Sequence, residues 1–174
     1  APGHFIATFK GEKTIVNPQG QPSLPFKGFS EIYFDDINNQ YAVNMDGKWT
    51  IAGPDGSTIR TVDAEGLIYN GGAYFLSKYT DTAGTINAVM NGKGEMVVPY
   101  GNKYFSINTR VADGRICAGI KTGDTPADEA GTTYVEMKVG FLDLTGKEII
   151  PLQFEDVMFD FSEGLAVVKQ NGKF

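Results

Sequence analysis

The chain has 174 residues, 41% hydrophobic and 21% charged, with a formal net charge of −6 at pH 7. That composition is that of a globular protein with a core and excludes a disordered chain. The acidic balance and the lack of any basic cluster exclude nucleic acid as a partner, since phosphate binding draws on Lys and Arg. No apolar run reaches the roughly 18 residues of a membrane-spanning helix, so no membrane insertion is expected.

The single cysteine, Cys117, has no partner for an internal disulfide, and the one histidine, His4, lies at the N-terminus. A Cys/His zinc site therefore lacks ligands, and Ser-His-Asp or Cys-His catalysis would depend on His4. Cys117 sits in the alternating run RICAGIK and is expected to be a small core residue. A start at Ala1-Pro2-Gly3 without methionine, and an end inside a pattern, are those of an excised or processed form.

Along the chain, FIATFKGEKTIV (5–16) is a pair of alternating apolar arms about a tip, and NPQGQPSLP (17–25) follows it. After an aromatic and acidic linker, FKGFSEIYFDD (26–36), the arms recur as YAVNMDGKWTIA (41–52), followed by GPDGSTIRT (53–61). Asp46-Gly47 marks a two-residue hairpin turn, which needs positive φ. The third arm pair, AYFLSKYTDTAGTINAVM (73–90), has a longer tip at 79–84 and leads into NGKGEMVVP (91–99). In the fourth, RICAGIKTG and YVEMKVGFLD flank the insertion GDTPADEAGTT (123–133), and DLTGKEIIP (143–151) follows. The linker LQFEDVMFDFSEG (152–164) and the arm LAVVKQNGKF (165–174), with its Asn171-Gly172 turn, complete the chain.

These stretches are one unit repeated. Gly20, Gly56, Gly94 and Gly146 anchor it in steps of 36, 38 and 52, the last lengthened by the insertion. Asn, Asp or Gly stands three residues before each anchor, and proline stands five after it except at Thr61. The proline is expected to end the third strand of a unit, because it supplies no ladder donor. Period-2 alternation fills the arms and helical periodicity is absent, so the chain is predicted to be all-β. The expected fold is a set of tandem β-hairpin or meander repeats of about 36–40 residues, one domain over 1–174 in about four and a half units (5–36, 37–70, 71–110, 111–160 and a partial 161–174). An open twisted array is preferred to a propeller-like ring, since the two chain ends carry the same hairpin arm and do not complement each other. Phe174 falls inside a strand pattern, an open edge able to pair with a second copy.

The last block, VGFLDLTGKEIIPLQFEDVMFDFSEGLAVVKQNGKF, resembles the WG (KWG) repeat of bacterial proteins, whose units run G-K-W-G, G-K-E, proline, F-S-E-G-L-A and N-G-K. Asp46-Gly47-Lys48-Trp49 matches the signature region, with Thr50 where the family has glycine, and the first and third units are degenerate. The resemblance implies a β-repeat module and an exported or cell-surface bacterial setting, and it carries over no catalytic or cofactor residue.

No cofactor or metal is expected: GDTPADEAG lacks the alternating acids that wrap calcium, and NGKGE precedes no helix able to hold phosphate. The aromatics after each anchor, among them Phe26, Phe29, Tyr104, Phe105, Phe154, Phe159 and Phe161, are expected to pack between units. The two long tips stand at equivalent places in adjacent units and should project on one side. Tyr79, Asp81, Asp124, Asp128 and Glu129 are assigned to this interaction rim. The sequence thus points to a non-enzymatic repeat scaffold, a protein-binding or surface-interaction module with a protein or glycan partner. The alternatives are a carbohydrate-binding envelope protein using exposed aromatics, and a weak hydrolase using Asp35, Asp36, Glu155, Asp156 or Asp160.

Overall fold

The computed structural model describes residues 5–22, 29–127 and 129–174, apart from the side chains of Phe9 and Phe159. All regular structure among them is antiparallel β. A two-stranded sheet of β1 (Phe5–Phe9) and β2 (Glu12–Val16) comes first. Three four-stranded meanders follow. The first is β3 (Glu31–Asp35), β4 (Gln40–Met45), β5 (Lys48–Ala52) and β6 (Thr58–Val62); the second is β7 (Gly66–Asn70), β8 (Ala73–Thr80), β9 (Gly84–Asn91) and β10 (Met96–Val98). The third is β11 (Ser106–Ala112), β12 (Arg115–Asp124), β13 (Val135–Asp143) and β14 (Glu148–Phe154), and a pair of β15 (Asp156–Ser162) and β16 (Leu165–Lys169) closes the series. The sheets lie in chain order in an open twisted arrangement, and no sheet closes on itself.

The four anchor glycines make the same turn. In each, the glycine N–H donates to the carbonyl three residues back, from Gly20 to Asn17, Gly56 to Gly53, Gly94 to Asn91 and Gly146 to Asp143. The Asn or Asp at the head of the turn is there for its side chain. Asn17 Oδ1 accepts from the N–H groups of Gln19 and Gln21, Asn91 Oδ1 from Lys93 and Glu95, and Asp143 Oδ1 from Thr145 and Lys147. Such side-chain-to-backbone bonds satisfy donors that a tight turn would leave unpaired. Where Gly53 heads the turn, Asp55 takes the N–H of Ser57 instead.

Two expectations are corrected. The aromatic and acidic stretches are strands, since EIYFD is β3 and DVMFDFS is β15. Each opens a sheet and pairs with the arm after it, so the repeating sheet has four strands where the sequence shows three. Glu163-Gly164, inside a stretch read as a linker, has both residues at positive φ and acts as a hairpin turn, as Asp113-Gly114 does between β11 and β12. Pro99 does follow the end of β10, but Pro151 lies inside β14, at a register irregularity of an edge strand where no ladder donor is needed. Pro25 lies outside the described residues.

The core forms between successive sheets, because the middle strands are buried on both faces. Along β8, Tyr74 and Leu76 pack toward β4–β6, while Ala73 and Phe75 pack toward β11–β13. Tyr41 and Val43 of β4 face the first sheet, where they meet Ile15 and Phe29. Runs such as AYFL are therefore continuous apolar segments, each alternate residue serving a different neighbour, and a fully buried side chain of this size contributes about 2 kcal/mol. Among the expected aromatic mortar, Phe29 is buried, Tyr104 packs on the cluster between the second and third meanders, and Phe161 meets Phe141 edge-on at 4.7 Å between centroids. Phe105 is exposed, whereas Phe26 and the side chain of Phe159 lie outside what is described.

Candidate binding site

Three features carry polar chemistry. The first is Asp35, the last residue of β3, which is 0% exposed. Its carboxylate accepts from the Tyr74 hydroxyl at 2.6 Å, the Tyr69 hydroxyl at 2.9 Å, Gln40 Nε2 at 3.0 Å, Asn38 Nδ2 at 3.0 Å and the Asn38 N–H at 3.0 Å. Burial pushes this carboxyl up, but the bonds from Tyr74, Asn38 and Gln40 together outweigh it and leave it below the ordinary carboxylate value. Burial, with Asp35 as acceptor, raises both tyrosine hydroxyls. Every lone pair is engaged by protein, so the group joins two sheets and is closed to a substrate. Among the sequence-nominated acids, Asp36 is exposed beside the Tyr69 hydroxyl, and Glu155 accepts the N–H of Gly172. Asp156 caps its own strand at the N–H of Val157, and Asp160 lies 3.9 Å from Arg110. Asp35 and Asp36 share the Tyr69 hydroxyl, Asp156 and Asp160 share β15, and each carboxylate is taken up by a structural contact. Among the described residues no group of three or more His, Cys, Asp or Glu is placed to hold a metal ion. Cys117 is half-buried, and burial, then the charges of Asp160 and Asp156, push its thiol up to about 11, far from a thiolate at neutral pH.

The second feature is the pair of hairpin tips. The β8–β9 and β12–β13 hairpins occupy the same place in consecutive meanders, and both are longer than β4–β5. Tyr79 is 62% exposed near the end of β8, and Asp81 is exposed at the tip. Asp124 ends β12 with its carboxylate 2.7 Å from Lys121, and Glu129 is exposed in the connecting segment. Asp128 lies outside the described residues. Tyr134, which sequence reasoning left out of the rim, is 61% exposed and joins the tip through its N–H to Thr125. An aromatic next to an insertion is the signal that could have found it.

The third feature has no precedent in the sequence reading. A cleft of about 430 Å³ opens where β3, β7 and β11 begin. In an antiparallel meander the start of the first strand lies at the same end as the hairpin joining the second and third. The cleft and the long tips therefore share one end of the molecule. Tyr33 lines it, stacked on Trp49 with centroids 6.0 Å apart and planes at 27°, and the Trp49 indole N–H is held by the Glu65 carbonyl at 3.2 Å. Glu31, Glu65, Ser77, Asn87 and Thr109 supply polar groups, and no Lys or Arg among the described residues lines it.

The geometry of the last two sheets can be set beside known families. A family model described as WG containing repeat matches residues 140–174, from the middle of β13 through β16. This segment is similar to a WG repeat. The WG match takes in the Gly146 turn, the Pro151 strand and the Glu163-Gly164 hairpin. The matched model describes a repeat module. No curated protein matches the chain.

Proposed function

We propose that this chain is a non-catalytic interaction module that meets a protein partner with its two long hairpin tips. What carries the reading is the overshoot of the β8–β9 and β12–β13 hairpins, which holds Tyr79 and Tyr134 in solvent beyond the packed sheets. Large exposed aromatics on a rigid β support give contact area at little entropic cost on binding. Asp81, Glu129 and the overall charge of −6 favour a basic partner surface. The burial and full engagement of the Asp35 carboxylate speak against a hydrolase built on it. The carbohydrate reading draws its support from the cleft.

The test is a peptide-display selection on the intact chain. Basic, aromatic-containing sequences are expected to enrich, with binding weakened at least tenfold by Tyr79→Ala and by replacement of 125–134 with Asn-Gly, and weakened further as salt rises. Peptides that bind the shortened protein as tightly as the original would sink the proposal.

A further inference from the structure

We infer that the cleft at the start of β3, β7 and β11 is a binding site for a neutral saccharide, separate from the hairpin tips. The platform comes first. Tyr33 stacks on Trp49 and both rings line the cleft, and the Trp49–Glu65 hydrogen bond holds the indole in place. A flat, rigid aromatic face takes the C–H side of a sugar ring, while the ring hydroxyls look for polar partners at its rim.

Those partners are present and idle. The Tyr33 hydroxyl, Ser77, Asn87 and Thr109 make no side-chain hydrogen bond with other described residues, although all four line the cleft. They offer donors and acceptors together, as a polyol requires. Gly66, opposite Ser77 in the β7–β8 ladder, keeps that hydroxyl open, because a Cβ there would collide with Ser77 Oγ. Glu65 has one oxygen on the Tyr79 N–H and the other open as an acceptor. The volume of about 430 Å³ is within the range of small-ligand sites, roughly 300–1,000 Å³.

Charge narrows the ligand further. Glu65 lies on its walls, the Glu31 carboxylate is paired with Lys13, and no Lys or Arg among the described residues lines it, so the cleft offers phosphate, sulfate and acidic sugars no partner. A Lys or Arg side chain is the competing occupant, but Glu31 already pairs with Lys13 and Glu65 with a backbone N–H. A cation would also leave the uncharged groups without a role.

The chain has a single tryptophan, and it lies under the platform, so its fluorescence reports occupancy. The intact protein is titrated with neutral methyl glycosides and N-acetylglucosamine, and separately with glucuronate and argininamide. Saturable changes in Trp49 emission are expected with at least one neutral sugar and with neither charged probe. Tyr33→Ala should weaken the response at least tenfold. Asn87→Ala and Thr109→Val, which leave the Tyr33–Trp49 stack untouched, should each weaken it about three- to tenfold and keep the inference testable if Tyr33→Ala does not fold. Replacing 125–134 with Asn-Gly should leave sugar binding unchanged, which separates this site from the tips. No response to any neutral sugar, equal binding by the Asn87 and Thr109 variants, or a stronger response to argininamide would overturn the inference.

Discussion

Asp35 shows how one residue can be read correctly as acidic and still be misplaced. In the sequence it stands beside Asp36 in a stretch with the composition of a solvated connection. Its main partners, Tyr69 and Tyr74, lie 34 and 39 positions away, beyond any local pattern. Replacing it with Asn removes charge-assisted bonds and leaves buried hydroxyls poorly paired, an expected loss of about 3 kcal/mol by denaturant unfolding at pH 7. Tyr74→Phe, which deletes only the shortest bond, should cost about 1.5 kcal/mol. The pH dependence has a definite sign. A carboxyl whose folded pKa is lowered contributes fully above its ordinary value of 3.8, and that contribution fades as the pH falls through the lowered folded value. The gap between wild type and Asp35→Asn should therefore narrow below about pH 4. An unchanged gap down to about pH 2 would exclude Asp35 as the responsible group. By contrast, Asp46-Gly47 and Asn171-Gly172 were legible at once, since both residues of each pair take the positive φ their types tolerate.

At the scale of elements, the strands with local turn chemistry could be read, and those that depend on a distant partner could not. The arms β4–β5 and β8–β9 show in the sequence because alternation and a nearby tip specify each other. The first strands β3 and β15 are short or rich in acids, and nothing in their own residues separates strand from connection. The anchor glycines were found as punctuation, yet two of them are also contact points. A Cβ on Gly146 would meet the backbone of Val97 in the preceding meander, and one on Gly94 would meet the Arg60 guanidinium. Gly20 has the same left-handed φ but nothing within 4 Å. Gly20→Ala should thus cost about 1 kcal/mol, the price of the backbone alone, whereas Gly146→Ala should cost at least about 2 kcal/mol more because backbone cannot step aside. Thermal unfolding of the two variants measures the difference, and equal losses would show that the turn at Gly146 does not bear on its neighbour.

Across the whole molecule the junctions are uneven. Between the first and second meanders lie a large buried cluster, the Asp35 network and the Arg60 bonds to the Lys93 and Gly94 carbonyls. Between the second and third, another buried cluster is joined by the Asn70 bond to the Val111 N–H. Among the described side chains, the last junction has Phe141 against Phe161, Arg115 over the same ring at 4.3 Å, Arg110 near Asp160, and Asp113 accepting the N–H of Gly164. Opening free energies follow buried contact, so amide exchange should be fastest in β15–β16 and slowest in β4, β5, β8 and β9. Uniform protection through β16 would contradict this gradient. The repeat period was visible from its glycines, but the unevenness was not, because it depends on side chains that meet only across sheets. The cleft was hidden for the same reason, being assembled from three successive strand beginnings.

The meander order has a mechanical consequence. Within each sheet every strand is hydrogen-bonded to its neighbour in the chain, so a pull along the backbone loads a sheet at its edge and one rung at a time. Such a sheet peels where a parallel crossover would have to shear many bonds at once. In a force-extension experiment the chain should lengthen in small steps at low tension, starting from β15–β16 and yielding last where Asp35 clamps β3 to the following meander.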